Sequence, residues 1–88
     1  MKIKNGFVLR PLMGSHVVVA VGEASKSFRG MLKLNSTAAD VWQGIEKGLG
    51  ESEICDLLLE KYDVDRESLE KDVATAIQSL KEQGFVEE

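Results

Sequence analysis

The chain has 88 residues, of which 43% are hydrophobic and 30% are charged, a composition typical of one small globular domain. No apolar run approaches the roughly 20 residues that span a bilayer, and residues 1–10 lack the apolar core of a signal peptide. The single cysteine, Cys55, excludes an internal disulfide and a cysteine-based zinc site within one chain. We therefore predict a cytoplasmic protein, with no membrane contact, that forms a single domain over residues 1–88.

The charge is unevenly distributed along the chain, although its formal total is only −4. Residues 1–34 carry six Lys or Arg against one acidic residue, a net charge of +5, whereas residues 35–88 carry five against fourteen, a net charge of −9. Packing of the two halves against each other would compensate part of this difference. The alternative is that the basic half attracts an acidic ligand over long range.

Three strands are predicted in the first 34 residues. Phe7–Met13 and His16–Val21 are joined by Gly14-Ser15, a two-residue loop that suits a type II′ hairpin turn because glycine accepts a positive φ. The second strand is apolar on both faces, which favours a central position in the sheet. The third strand, Phe28–Leu34, then lies at the far edge, because sequential antiparallel strands usually neighbour one another.

Three amphipathic helices follow the strands. Asn35 is a predicted N-cap for a first helix over Ser36–Lys47, and a second helix spans Glu51–Lys61. The third helix begins after a second N-cap, Asp65, and ends at Gly84, which can adopt the left-handed conformation of a helix C-terminus. The predicted fold class is α+β: a three-stranded antiparallel sheet packed on a three-helix, winged-helix-like bundle.

Catalytic constellations are missing from the sequence. His16, the only histidine, lies near a hairpin turn, and Cys55 adjoins the apolar stripe of the second helix, where a thiol is buried and unreactive. Asp63, Asp65 and Glu67 are spaced like the start of a calcium loop, but the glycine and the closing glutamate of that loop are absent. We predict that the protein is not an enzyme and has no metal site and no cofactor.

A winged-helix layout raises DNA binding as an alternative function. The third helix would then read the bases, but its expected exposed positions are acidic overall, with Glu67, Glu70, Asp72 and Glu82 against Arg66, Lys71 and Lys81. Because affinity for nucleic acid depends mostly on neutralising phosphates, this helix argues against nucleic acid as a partner. Because the basic residues among the first 34 could contact a nucleic-acid backbone, a DNA-binding or transcription-regulating domain remains the alternative.

Peptide binding needs no catalytic residue. An uncovered edge strand presents unpaired N–H and C=O groups that can pair with an extended peptide, and Phe28–Leu34 is the candidate edge. On the third helix, Asp72, Ala76, Ser79 and Gln83 form a row of mainly small or medium side chains beside the apolar stripe, where they would line a shallow groove. The same four positions are equally typical of the ordinary boundary of a packed helix.

Three short motifs follow one another along the chain. They are MLKLN at residues 31–35 with the helix start STAADVW, the acidic turn YDVD at residues 62–65, and LKEQGF at residues 80–85. In order and spacing they resemble the PqqD-like family of small peptide-binding domains, also called RiPP recognition elements. The resemblance covers roughly residues 7–86.

The resemblance implies that the domain binds the leader region of a ribosomally made precursor peptide between its third strand and third helix. It also implies delivery of that peptide to a modifying enzyme, often a radical-SAM protein, with MLKLN as the pairing strand and Asp72-Val73 matching an Asp-Val pair of the family. The predicted peptide-binding residues are Phe28, Arg29, Gly30, Met31, Leu32, Lys33, Asp72, Ala76, Ser79, Leu80 and Gln83. The sequence names neither precursor, enzyme nor product, and the exposed edge could also pair two copies into a homodimer.

Overall fold

The computed structural model describes residues 1–28 and 30–87. It has an α+β fold in which a three-stranded antiparallel sheet packs on three helices, as the sequence predicted. The strands are β1 (Lys2–Ile3), β2 (Phe7–Leu12), β3 (Ser15–Ala20), β4 (Met31–Leu34) and β5 (Val86–Glu87). The helices are α1 (Ser36–Glu46), α2 (Glu51–Lys61) and α3 (Arg66–Glu82), and a short 3-10 helix spans Gly22–Lys26. In the described residues, no helix is both long and apolar enough to cross a membrane.

The main sheet has the strand order β2-β3-β4, so β3 is central and β4 lies at an edge, as predicted. Val18 in β3 is fully buried and pairs with Leu9 on one side and Leu32 on the other. The predicted third strand was too long, because β4 begins only at Met31. The 3-10 helix ends at Lys26, and the amide of Phe28 donates to the carbonyl of Ala24 at 3.0 Å instead of joining the sheet.

The hairpin turn differs by one residue from the prediction. Leu12 pairs with Ser15, so the two-residue loop is Met13-Gly14. Both loop residues have positive φ, 48° and 83°, which is the pattern of a type I′ turn and not of type II′. The burial of Val18 and its partners determines the strand register and therefore the position of the loop, because a shift by one residue would move these side chains to the opposite face.

Side chains cap the helices where the sequence indicated. Asn35 Oδ1 accepts a hydrogen bond from the amide of Ala38, and Asp65 Oδ1 accepts one from the amide of Ser68, both at 2.8 Å. α3 ends in a Schellman motif in which the amide of Phe85 donates to the carbonyl of Leu80 at 3.0 Å, and the intervening Gly84 has φ 84°. These caps fix both ends of α3 and the start of α1.

An aromatic cluster closes the core at the end of α3. Phe85 is 1% exposed, and its ring lies 4.9 Å from that of Phe7, 5.4 Å from that of Phe28 and 5.8 Å from that of Trp42, measured between centroids. The strands β1 and β5, which were not predicted, pair antiparallel beside this cluster. They join the start of the described chain to the end of α3.

The acidic turn between α2 and α3 is tied to α1. The Tyr62 hydroxyl donates to Asp40 Oδ2 at 2.5 Å, and Lys61 Nζ lies 3.0 Å from Asp40 Oδ1. The hydrogen bond to Asp40 raises the pKa of Tyr62, with partial burial adding to the shift. This contact holds α1 and the end of α2 together.

Candidate peptide-binding groove

The free edge of β4 is the first component of the site. β4 pairs with β3 along one side, and within residues 1–28 and 30–87 no strand pairs with its other side. Leu32 and Leu34 face the core, whereas Met31 and Lys33 are exposed. Every second residue of an antiparallel edge strand directs its N–H and C=O away from the sheet, so β4 offers unpaired backbone groups to an extended ligand.

A groove lies where β4 runs into α1 and faces α3. Its volume is about 420 Å³, which is within the range of ligand sites. Its lining brings four of the predicted α3 residues together with the end of β4 and the first turn of α1: Asp72, Ala76, Ser79 and Leu80 with Thr75, Leu34, Asn35, Thr37 and Ala38. We call this the α1–α3 groove.

The floor of the α1–α3 groove is apolar and its rim is polar. Leu34 and Leu80 are 8% and 1% exposed, so they form the floor, and the half-buried Ala38 and Ala76 leave space above it. The rim carries hydroxyl groups and the carboxylate of Asp72, which has no ion-pair or hydrogen-bond partner among the described residues. The arrangement can accept one apolar side chain and pair a cationic or N–H group with the carboxylate.

Two of the remaining predicted residues, Phe28 and Gln83, lie in a different depression. They line this second depression, of about 480 Å³, with Lys4, Phe7 and Glu23. Gln83 also donates through Nε2 to Ser79 Oγ at 3.1 Å, which links the two depressions along α3.

The other predicted strand residues line neither depression, among those that the structure describes. Gly30, Met31 and Lys33 are exposed, and Leu32 is half-buried. Arg29 lies outside the described residues. Because Asp72 lies near the end of β4 and Gln83 near its start, α3 runs opposite to β4 along the site.

Sequence reasoning missed the contribution of α1. Asn35, Thr37 and Ala38 line the groove because α1 starts one residue after β4 ends. That short connection was visible in the sequence and would have sufficed to place the first turn of α1 beside the edge strand.

The residues considered for catalysis lie outside the α1–α3 groove. His16 is half-buried in β3, between Pro11 and Leu34 of the neighbouring strands. Cys55 is 1% exposed in α2, and burial raises the pKa of its thiol, which disfavours the reactive thiolate. In the part of the chain that the structure describes, no three His, Cys, Asp or Glu side chains are grouped to hold a metal ion.

The family model of coenzyme PQQ synthesis protein D (PqqD) matches residues 15–86 of the sequence. The chain belongs to the PqqD family. The match runs from the start of β3 to β5, so it includes β4, α1 and α3, the three elements that build the α1–α3 groove.

Two solved structures share the fold of this PqqD-family chain. One is TbiB1 in complex with the TbiA(beta) leader peptide, with 22% sequence identity and a TM-score of 0.76 over 99% of this chain and 100% of that one. The other is lasso peptide synthetase B1 complexed with the leader peptide, with 25% identity and a TM-score of 0.76 over 96% and 93% of the two chains. No curated protein matches the sequence significantly.

Proposed function

We propose that this protein binds the leader region of a ribosomally synthesised precursor peptide by adding it as a strand to β4. The observation that carries the proposal is the unpaired edge of β4 beside the α1–α3 groove. Two proteins of the same fold are known in complex with leader peptides, which supports the same use of the fold here. The binding residues are those predicted from the sequence along β4 and α3, together with the first turn of α1.

Each part of the site has a distinct role in this proposal. Hydrogen bonds along the β4 backbone supply affinity for any extended segment, and side-chain pockets supply selectivity. The apolar floor at Leu34 and Leu80 takes one aliphatic or aromatic leader side chain. The exposed cation Lys33 on β4 favours an acidic residue in the leader and makes binding weaker at high salt.

We infer that the domain, over residues 1–88, is a non-catalytic cytoplasmic carrier. By holding the leader it raises the concentration of the attached core peptide at a modifying enzyme, such as a radical-SAM protein, to the order of millimolar for a short linker. The enzyme supplies the chemistry, and the carrier needs only to bind and release.

The test is a titration of the isotope-labelled domain with the leader of a precursor encoded in the same gene neighbourhood. We expect backbone amides of Met31–Leu34 and of Ala76–Ser79 to shift or gain protection, with a dissociation constant of about micromolar or lower. A scrambled leader of the same composition is the control. Amide changes confined to β2 or α2 would place the site elsewhere.

The DNA-binding alternative gains no support. Glu67, Glu70 and Asp72 are exposed on α3, so a recognition helix would bring three carboxylates towards the phosphates. Neither the matched family nor the two similar structures is described as binding nucleic acid.

A further inference from the structure

The main sheet has a second face, opposite the helices. The buried Val18 and its partners Leu9 and Leu32 point towards the core, so the residues that alternate with them point away. We call this the outer face. It consists of Val8, Arg10, Leu12, Ser15, Val17, Val19, Met31 and Lys33.

The outer face is separate from the core. Val17 is only 5% exposed, yet it does not belong to the cluster of core residues, and the half-buried Val8 and Val19 do not pack against that cluster. Met31 is 60% and Leu12 45% exposed. Met31 and Leu12, with the half-buried Val8 and Val19, therefore form a partly exposed apolar surface on the side of the sheet opposite the core.

The charge on the outer face has a single sign. Arg10 and Lys33 are the direct cross-strand neighbours of Val17, one on each side, and both are exposed. Neither has an ion-pair partner among residues 1–28 and 30–87, and the face has no acidic residue. An apolar row across the three strands, Val8–Val19–Met31, lies next to this cationic row.

We propose that the outer face is a docking surface for a protein partner whose contact patch is apolar and flanked by carboxylates. The partner is the peptide-modifying enzyme, an identity that rests on the proposed function. The unpaired cations Arg10 and Lys33 on either side of the buried Val17 would be complementary to carboxylates of such a partner. Apolar contact through Val8, Val19 and Met31 would supply the remaining affinity.

The size of the face indicates a transient contact. Strands of four to six residues, at about 3.3 Å per residue and about 4.8 Å between strands, give a patch of roughly 300 Å². A stable interface buries about 800 Å² on each partner. A carrier that must leave its enzyme after each round is suited to the smaller contact.

A second copy of this chain fits the face less well. Two-fold packing of one outer face on another would bring the cations Arg10 and Lys33 of one copy towards those of the other, with no acid between them. A membrane also fits less well, because two cations on a short, flat sheet fall short of the clusters of four to eight that recognise anionic lipid.

The outer face and the leader site can be occupied together. The leader adds to the edge of β4 in the plane of the sheet, whereas the outer face is perpendicular to that plane. Met31 and Lys33 are shared between the strand and the face, so a docked enzyme would lie directly beside the bound leader. Docking here would therefore present the peptide without displacing it.

The experiment uses the purified modifying enzyme encoded in the same gene neighbourhood and measures its affinity for the domain by biolayer interferometry, without leader. The variants are Arg10→Glu and Val8→Ser on β2. Each has a matched control on the helices, Lys47→Glu and Leu57→Ser, which change an exposed cation and an exposed leucine beside the groove between α1 and α2. Circular dichroism checks that all four variants fold.

We expect the two β2 variants to bind the enzyme at least about tenfold more weakly and the controls to stay within about twofold of the wild type. Leader affinity, measured by calorimetry, should stay within about twofold in the β2 variants, because β2 is the sheet edge opposite β4. A wild type that binds the enzyme but no leader would refute the proposed function and leave the docking surface standing.

Three outcomes would overturn the docking surface. They are no enzyme binding by the wild type, unchanged binding by folded Arg10→Glu and Val8→Ser domains, or equal weakening by the controls, which would move the contact to α1 and α2. Two further measurements examine other occupants. If sedimentation showed that the domain alone dimerises and that Arg10→Glu abolishes the dimer, the occupant would be a second copy. If the domain floated with vesicles of equal phosphatidylglycerol and phosphatidylcholine and Arg10→Glu abolished this, the occupant would be a membrane.

Discussion

Filling the α1–α3 groove should weaken leader binding without unfolding the domain. Ser79 is exposed at the rim of the groove, one residue before the buried Leu80, so Ser79→Trp places a large ring over the apolar floor and leaves the core intact. A leader side chain that can no longer enter loses the burial of one leucine-sized group, about 1.5–3 kcal/mol. The leader should therefore bind about 10- to 150-fold more weakly.

The matched control for this variant is Ala74→Trp. Ala74 is an exposed small residue on the same helix, turned about 140° away from Ser79 around the helix axis. Calorimetric titration with the leader compares both variants with the wild type, and circular dichroism confirms folding. If a folded Ser79→Trp domain keeps wild-type affinity, or if Ala74→Trp weakens binding equally, the groove beside α3 is not the site.

Three further predictions concern the scaffold. Phe85→Ala should lower the free energy of unfolding by about 3–5 kcal/mol, because it opens a cavity among three aromatic rings. Urea denaturation measures this, and a loss below about 1 kcal/mol would contradict the central role of the aromatic cluster. Gly44→Ala should cost about 1–3 kcal/mol in the same assay, because its Cβ would lie 2.7 Å from Ile54 Cγ1, and it should leave leader affinity unchanged. Hydrogen bonds from Ser68 lower the pKa of Asp65, so this carboxylate contributes stability above its ordinary pKa of about 3.9 that is lost as the pH falls through its lower folded-state value. Asp65→Asn, which keeps a good N-cap, should therefore gain stability relative to wild type as the pH falls below about 4, and a constant difference between them would refute this assignment.

Local chemistry explains why the helices and the edge strand could be predicted from the sequence. Asn35 and Asp65 are strong N-caps in front of amphipathic stripes, and Gly84 marks the end of α3. These signals lie within a few residues of the elements they define. The order of the three strands followed from the apolar faces of the second strand and from the tendency of sequential antiparallel strands to neighbour one another.

Two parts of the fold were not predicted from the sequence, the short strands β1 and β5 and the start of β4. β1 and β5 are two residues long and have no periodicity of their own; they pair because Phe85 anchors the end of the chain in the core. The start of β4 was misplaced because Phe28 follows the local backbone of the 3-10 helix, although its side chain suits a strand. The pairing of β1 with β5 thus depends on residues distant in the sequence, whereas the start of β4 depends on a local hydrogen bond that competes with strand formation.

The two depressions at the candidate site also depend on tertiary structure. The spacing of Asp72, Ala76 and Ser79 predicted a common row on α3, and the structure places all three in the α1–α3 groove. Gln83 continues the row in the sequence but lines the second depression with Phe28. The boundary between the two depressions depends on α1 and the 3-10 helix. The periodicity of α3 alone cannot predict the positions of these other elements.

The two edges of the main sheet explain why a peptide would choose β4. β2, the other edge, contains Pro11, which has no N–H and is tolerated there only with its nitrogen towards solvent, so an incoming strand would lack one backbone donor. β4 contains no proline, and its free edge lies beside the apolar floor of the α1–α3 groove. The strand is also only four residues long and carries Lys33, two features that discourage pairing between sheets of separate copies. A peptide gains on β4 both a complete set of backbone partners and a side-chain pocket, whereas β2 withholds a donor, so binding is directed to one edge.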